Sequence, residues 1–581
     1  MLKLFRYLKP YWWQVVLLIL SIGGQTYLTL QLPALMADIV NQGIVTGDQN
    51  YILATGLKML IFALAASLCA LIAHFFSSRI GAAFSRDLRA DFYQKVLSLS
   101  VSEIDNFSTA SLITRTTNDI GQVQQAIMMM LTMLLRAPMM GLGAIFQAYQ
   151  TAPDMTWTIA AGVGAIIFFS IIILGLAMPK FKIYQKLIDK ITLIARENLT
   201  GLRVIRAFNN EAHEQQKFGH ANHELTKTGL FIDRLMALQD PLLGLIFNGV
   251  TLGIVWISIG RLESDASYLG DMIAFVQYAT HVLMSFLILT MLFIILPRAN
   301  VSAGRINEVM KVKPKIHWKD TTEGNPDKTP SVEFKNVAFA YAGAEANVLE
   351  NISFIAKAGE TTAFIGSTGS GKSTLISLVP RFYETTEGEI LVDGLNIKDY
   401  AKDDLMKRIG YVPQRGILFS GVIKNNILFG TDDLDDKNVK KSARVAQAEN
   451  FIEKLEEKYN AHIAEKGTNV SGGQKQRLSI ARAIAKHPEI YIFDDSFSAL
   501  DMKTDKKLRE ALKPETKDSV VLIVAQRIST IKDAEQIIVL DQGKIVGKGK
   551  HKELLKNCKE YREIVKSQVS EQEFAKELKN A

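Results

Sequence analysis

Apolar and polar residues follow two regimes along this chain. Through the first three hundred positions, long runs with almost no charge recur, near Trp13–Leu35, Ala54–Phe76, Ile127–Tyr149, Trp157–Met178, Pro241–Gly260 and Met272–Leu296. Each can form a helix that crosses a bilayer, which takes about 20 residues. From Ser331 onward, short β-branched runs alternate with helical patterns, the sequence form of an α/β domain. The intervening Lys311–Pro330 is polar, carries Pro314, Pro326 and Pro330, and has the composition of a linker. The expected organisation is a six-span membrane domain over 1–312, a linker over 313–330, an α/β domain over 331–570 and a charged tail over 571–581.

The connections between spans alternate in length and charge. Met36–Tyr51 and Gln150–Thr156 are short and hold no Lys or Arg. The connection after the second span carries Arg79, Arg86, Arg89, Lys95 and Arg115, and the one after the fourth carries Lys180, Lys182, Lys186, Lys190, Arg196, Arg203 and Arg206. The bias of positive charge toward the cytoplasmic side places both long connections, and both ends of this half, inside the cell. Arg86–Leu99 and Lys182–Phe208 have helical periodicity with one apolar face, so helices are expected to run past the membrane and hold the polar turns Ser102–Ser108 and Asn209–Gln216 in the cytoplasm. The basic, amphipathic start Met1–Pro10 is expected to lie on the membrane surface as an entry helix.

Composition changes this picture little. The chain has 581 residues, 48% hydrophobic and 22% charged, with a net charge of +8 that the connections largely account for without nucleic acid. Its mean hydropathy of +0.12 averages over the two regimes. Cys69 and Cys558 are the two cysteines, one in each half, so no disulfide scaffold is expected.

The α/β half carries recognisable chemistry. A strand-like Thr361–Ile365 leads into Gly366-Ser367-Thr368-Gly369-Ser370-Gly371-Lys372-Ser373-Thr374 and a helical Leu375–Val379, matching G-x-x-x-x-G-K-[ST] in the strand–loop–helix context it requires. Glycines let backbone N–H groups curl around phosphate oxygens, and the helix N-terminus adds a favourable dipole. Lys372 would reach β- and γ-phosphates, and Ser373 would offer its hydroxyl to Mg²⁺. Downstream, the apolar Ile490–Phe493 ends in Asp494 and Asp495, and a carboxylate at such a strand end holds Mg²⁺ and its water shell. Between them, Val470-Ser471-Gly472-Gly473-Gln474 precedes an expected helix Leu478–Lys486, a second exposed N-terminus with free backbone donors.

The phosphate loop, the Val470–Gln474 signature, the paired aspartates and Ser498-Ala499-Leu500-Asp501 together resemble the nucleotide-binding domain of an ABC ATPase. With six preceding spans and two long intracellular connections, nearly the whole chain resembles an ABC exporter half-transporter. The resemblance implies a P-loop nucleotide-binding domain using ATP and Mg²⁺, in the plasma membrane of a bacterium, with its nucleotide-binding domain and both termini cytoplasmic. It further implies that Tyr341 stacks on adenine, although a strand aromatic in a core would also account for it. Gln414 is matched to the glutamine that senses Mg²⁺ and the attacking water, Asp501 to a residue signalling across the dimer, and Glu465-Lys466-Gly467 to a segment that meets the intracellular loops. In such transporters, the turns near Ser102–Ser108 and Asn209–Gln216 would be the coupling helices resting on these domains.

Two positions depart from that family. Asp495 replaces the usual Glu, the general base or water-orienting group; one methylene fewer withdraws the carboxylate by roughly 1.5 Å, and a misplacement of about 1 Å can cost 10²-fold in rate. Gln526 replaces the usual His and can neither carry positive charge nor relay a proton. The expectation is therefore a heterodimer: this chain's own site hydrolyses ATP poorly, while its Ser471–Gln474 completes a competent site on a partner half-transporter with Glu and His. The resemblance points to hydrophobic or amphipathic drugs as substrates, with a lipid flippase and a peptide exporter as alternatives, the latter disfavoured because ten residues before the first span leave no room for a peptidase domain. A soluble ABC protein acting on nucleic acid is the non-transport alternative, and the six spans argue strongly against it. Met128, Met129, Met130, Met133, Met139 and Met140, with Phe146, Phe275 and Phe286, could line a cavity or pack helices; Arg136, His281 and Asp240 could be functional or snorkel.

Overall fold

The computed structural model describes residues 1–262, 268–324, 326, 329–431 and 435–580. Positions 325, 327 and 328 of the expected linker, and residue 581 of the tail, lie outside the described residues. The chain divides into two compact units, Met1–Leu97 with Thr109–Lys311, and Ser98–Ser108 with Val312–Ala581.

The first unit is helical. Among the described residues, six helices are long and apolar enough to cross a membrane: α1 (Lys3–Ile44), α2 (Gln49–Ser98), α3 (Thr109–Thr151), α4 (Pro153–Thr200), α5 (Glu211–Ile259) and α6 (Tyr268–Lys311). The six apolar runs fall inside them, save that the fifth run extends one residue past α5 to Gly260, and every helix is longer than its run. In α2 the cause is plain: Ile80, Phe84, Leu88 and Phe92, spaced by four, are all 0% exposed, so an apolar stripe carries the helix on after the lipid-length segment ends. Large apolar side chains such as Leu71, Leu245 and Trp256 point outward, as a lipid-facing surface requires. Inside, small residues let helices approach: a Cβ on Gly162 would lie 2.7 Å from Val250. One buried polar cluster ties α3 to α6. Asp119 Oδ1 accepts hydrogen bonds from Ser302 Oγ (2.9 Å) and Arg305 Nη2 (3.0 Å), while Arg115 pairs with Glu308 at 2.8 Å.

Three short segments take defined local structure, the first two in this unit and the third in the turn Ser98–Ser108 of the other. The entry segment Leu2–Tyr11 is helical but docked: Leu4 and Tyr7 are buried, and the Tyr7 and Tyr11 hydroxyls donate to Asp91 (2.8 Å) and Asp87 (2.6 Å) on α2. The polar stretch Asn209–Gln216 is mostly helix. Asn209 takes a positive φ of 50°, Asn210 precedes the first helical residue, and Glu211 and Glu214 favour the start of α5 by facing its dipole. At the other turn, Val101–Asp105 forms one helical turn, opened by Ser100 and Glu103 in a reciprocal capping box.

The second unit is built on two main sheets and a short antiparallel pair, β7 (Gly421–Val422) with β8 (His462–Ile463). The larger has the order β12-β11-β3-β10-β9-β6, made of β3 (Thr361–Gly366), β6 (Ile409–Val412), β9 (Ile490–Asp494), β10 (Val520–Val524), β11 (Gln536–Asp541) and β12 (Lys544–Gly549). All of its pairs are parallel except β11 with β12. The smaller antiparallel sheet has the order β2-β1-β4-β5, from β1 (Ser331–Phe339), β2 (Leu349–Lys357), β4 (Glu387–Val392) and β5 (Leu395–Asn396). Alternation along the parallel strands separates two cores. Ile365, Tyr491, Phe493, Val521 and Ile523 face one, while Phe364, Ile490, Ile492, Val520 and Leu522 face the other, joined there by Val332, Phe334 and Phe354 of the smaller sheet. The last membrane helix ends at Lys311, β1 begins at Ser331, and Glu571–Asn580 is helical.

Leu522, fully buried at the centre of β10, tests this core. Leu522→Ala is expected to cost about 2–5 kcal/mol, the usual loss for such a truncation, and to appear as a lowered apparent Tm of the full chain in detergent.

Candidate functional site

Parallel pairing assembles the site. In β10, Val524 lies opposite Phe364 of β3 on one side and Asp494 of β9 on the other, so the C-terminal ends of the three strands are aligned. Ligands of open parallel sheets gather at such carboxyl ends. Here the loop 366–374 after β3, Asp494 and Asp495 at the end of β9, and Gln526 just after β10 all converge. Backbone bonds hold them there: Asp495 N–H donates to Val524 O (3.0 Å) and Ala525 N–H to Phe364 O (3.1 Å).

The loop needs its glycines. A Cβ on Gly366 would stand 2.0 Å from Leu540 O in β11, and Gly371 has a φ of +96°. Helix α7 (Lys372–Leu378) follows at once, three residues earlier than the sequence pattern indicated, so Lys372 and Ser373 occupy its first turn beside the free N–H groups. Lys372 Nζ donates to Gly366 O (2.9 Å), Ser367 O (2.7 Å) and Ser370 Oγ (3.3 Å), which keeps the ammonium over the loop. Burial pushes its pKa down, opposed by the charges of Asp495 and Asp494.

Ser373 Oγ donates to Asp494 Oδ1 at 2.7 Å. Burial pushes the Asp494 carboxyl up, and the Ser373 hydroxyl offsets part of that rise. Tyr411 in β6 sits nearby. Burial drives its hydroxyl up to about 12, with the Asp494 charge adding to the effect. Among the described residues no cluster of three or more His, Cys, Asp or Glu could hold a metal ion. A hydroxyl and a carboxylate side by side are instead the hard oxygen donors that suit Mg²⁺ when phosphates and water complete its shell.

Asp495 has a φ of 46° and turns out of the strand. Its Oδ2 accepts from Gln526 Nε2 at 2.7 Å and from Gln414 Nε2 at 3.2 Å, so two neutral amides converge on one carboxylate oxygen. Burial pushes the Asp495 carboxyl up as well. At the loop's other side, Tyr341 is 39% exposed, and its hydroxyl lies 2.9 Å from Thr374 Oγ1. A core position for Tyr341 is thereby ruled out. Tyr383, which the sequence pattern did not single out, packs edge-on against it with centroids 5.4 Å apart. The only sequence signal for Tyr383 was an aromatic pair soon after the loop helix.

The signature segment stands apart from this cluster. No hydrogen bond among the described residues joins Val470–Gln474 to the loop 366–374. Helix α8 (Gly472–Ala485) starts at Gly472 rather than near Leu478, because Ser471 and Gln474 form a capping box that recruits both glycines into the first turn. Ser471 and Gly472 are exposed, which leaves that helix tip open to solvent. Asp501 caps α9 (Met502–Leu512), accepting from Thr504 N–H (2.9 Å) and Thr504 Oγ1 (2.7 Å), and these bonds hold its carboxyl below the usual range.

Of the candidate membrane residues, Met140 and Phe275 are buried in helix packing, whereas Met133, Met139 and Phe146 point outward. Arg136 and Asp240 are exposed, and His281 is half-buried.

Comparison with known proteins agrees with this architecture. Residues 15–286 match the family model for the ABC transporter transmembrane region, and residues 349–498 match that for the ABC transporter. An uncharacterized ABC transporter ATP-binding protein of Mycobacterium tuberculosis is 38% identical over 574 residues, 97% of each chain. This chain belongs to the ABC transporters. It is a multi-pass membrane transport ATPase with one membrane half and one ATP-using half. A solved bacterial Atm1-family ABC exporter with ATP bound superposes with a TM-score of 0.79 over 97% of this chain and 99% of that one, at 23% identity, which shows the exporter fold. An ATP-dependent lipid A-core flippase of Syntrophus aciditrophicus is 32% identical over 507 residues, 86% of this chain and 83% of its own.

Because the transporter has no room for a side chain at Gly366, Gly366→Ala must push the loop off β11. It is expected to abolish most of the rise in apparent Tm that saturating ATP produces through a stabilisation of about 2.7 kcal/mol at 100 times Kd.

Proposed function

We propose that this chain is one half of a heterodimeric ABC exporter, with a slow ATP site of its own and a signature helix tip that completes the partner's site. The observation that supports this best is the double amide contact on Asp495. A general base must accept a proton from the attacking water, yet Asp495 Oδ2 is engaged by Gln526 and Gln414. Its raised pKa alone would favour proton acceptance. Reach decides the balance, since a carboxylate short by one methylene loses about 10²-fold. Gln526 adds no charge to steady a developing phosphate anion.

In this scheme Tyr341 stacks on adenine, residues Gly366–Thr374 wrap the phosphates, and Lys372 meets the β- and γ-phosphates. Ser373 and Asp494, with Gln414, fit a magnesium ion, which when bound neutralises phosphate charge. Val470–Gln474 would contact the partner's nucleotide through the free N–H groups at the start of α8. Asp501 would carry the state of one site toward the other. ATP binding closes the two nucleotide-binding domains, which works only if ATP binds the closed state more tightly than the open one. Closure then opens the membrane cavity outward, and hydrolysis at the partner's site resets it. The nucleotide-binding domain and both termini are cytoplasmic by the charge of the connections, and the cargo is a hydrophobic or amphipathic compound.

A second substrate class, lipid, is favoured by the flippase relatives of Syntrophus aciditrophicus and Desulfotalea psychrophila. Proteoliposomes given a fluorescent phospholipid in one arm and a cationic dye in the other separate the two.

For the division of labour, the expected result in the assembled heterodimer is that Asp495→Asn leaves ATPase within about twofold, whereas Glu→Gln in the partner lowers it by roughly 10²-fold or more. Fast hydrolysis by homodimers of this chain, or the reverse sensitivity, overturns the scheme.

A further inference from the structure

The turn Ser98–Ser108 lies between two membrane helices in sequence, yet it belongs to the compact unit that contains the nucleotide-binding fold. Contacts of Glu103 and Asp105 help hold it there. Glu103, 3% exposed, closes the capping box with Ser100 through Oε2 and accepts the Lys315 N–H at 3.2 Å through Oε1. That contact touches nothing in the ATP site. The second does: Asp105 Oδ2 accepts the Tyr383 hydroxyl at 3.1 Å, and the Tyr383 ring stands edge-on to Tyr341 at 87°. Burial and the Asp105 charge both push the Tyr383 hydroxyl up, so it remains a donor throughout the ordinary pH range.

The segment around Tyr383 is braced. Arg381 sits at a positive φ of 54° and grips Glu384 through two hydrogen bonds of 3.1 and 3.0 Å. Neighbouring Phe382 packs edge-on against Tyr411, beside Asp494, at 5.4 Å. Phe339 supports both tyrosine rings, 4.9 Å from Tyr341 and 5.6 Å from Tyr383. One four-residue stretch therefore touches the base side of the site, the metal side and the turn. A ring stacking on Tyr341 restricts it, an edge-on neighbour feels that restriction, and the hydroxyl of that neighbour is tied to the turn.

Resting on the adenine role proposed for Tyr341, we propose that Tyr383 is a positioning residue that relays occupancy of the adenine subsite to the turn Ser98–Ser108 through Asp105. The relay answers to the base of the nucleotide, and phosphate occupancy alone leaves it slack. It needs the hydroxyl as well as the ring, because the ring reads Tyr341 and the hydroxyl holds Asp105.

Hydrogen exchange of residues 98–108, in the full transporter assembled with its partner in nanodiscs, tests this. MgATP is expected to slow exchange there by about threefold or more, whereas magnesium tripolyphosphate, which has phosphates but no base, leaves it unchanged. Tyr383→Phe should lose the ATP-induced protection and lower coupled transport by about fivefold, with ATP affinity within about twofold of the parent. Asp105→Asn keeps an acceptor and should retain most of the protection, while Asp105→Ala combined with Tyr383→Phe should be no worse than either alone. Equal protection by tripolyphosphate, retained protection in Tyr383→Phe, or additive losses in the double variant overturns the relay. The adenine role is judged separately by Tyr341→Ala, where unchanged ATP affinity would refute the stacking and leave the Tyr383–Asp105 contact to be judged by the exchange data.

Discussion

Everything in the ATP-using half depends on one constraint, the parallel register of β3, β10 and β9. Because Val524 is paired with both Phe364 and Asp494, chain segments from residues 361, 490 and 520 onward end at the same edge. Each strand is apolar on both faces and serves two cores, so a slip by one residue would exchange the sets facing them. The register is thus fixed by hydrophobic packing far larger than any polar contact at the site. Lys372, Ser373, Asp494, Asp495 and Gln526 come together as a consequence.

Within that frame, polar chemistry is decided by small differences in reach. Asp494 meets the Ser373 hydroxyl directly. Asp495, one residue on and turned away by its positive φ, is instead met by two amides. Burial raises the pKa of both carboxyls, so their difference lies in geometry more than in intrinsic basicity. Gln526 and Gln414 satisfy one oxygen of Asp495, the contact on which the proposed division of labour rests. At the start of α8, by contrast, a capping box uses the Ser471 and Gln474 side chains on the helix's own backbone, and Ser471 and Gly472 are exposed.

The helical half obeys a different logic. Its helices outrun the lipid because their amphipathic stripes persist, and the stripe at Ile80, Phe84, Leu88 and Phe92 is what makes a stem able to carry the turn Ser98–Ser108 away from the apolar segment. The turn then finds its hydrogen-bond partners, Lys315 and Tyr383, in the nucleotide-binding unit. A short helical turn with its own capping box is a stiff object, which is what transmission of a small displacement needs.

The six apolar runs, the charge asymmetry, the phosphate loop and both departures at Asp495 and Gln526 were all legible in the order of residues, because each is local: a run length, a spacing, or one side chain in place of another. Helix starts were misjudged at Lys372, Gly472 and Glu211 because glycine and polar residues read as loop, whereas a capping box at Ser471–Gln474 and the dipole facing Glu211 and Glu214 favour helix there. The docking of Leu2–Tyr11 onto α2, the convergence of two amides on Asp495 and the link from Tyr341 through Tyr383 to Asp105 were invisible beforehand. Each joins residues tens to hundreds of positions apart, and such a meeting is set by how strands pair and helices pack. The sequence determined which groups the chain possesses and where its helices enter the membrane. Tertiary structure alone decided which groups touch, since a hydrogen bond needs its donor within about 3 Å of an acceptor and only the packed core fixes distances that finely.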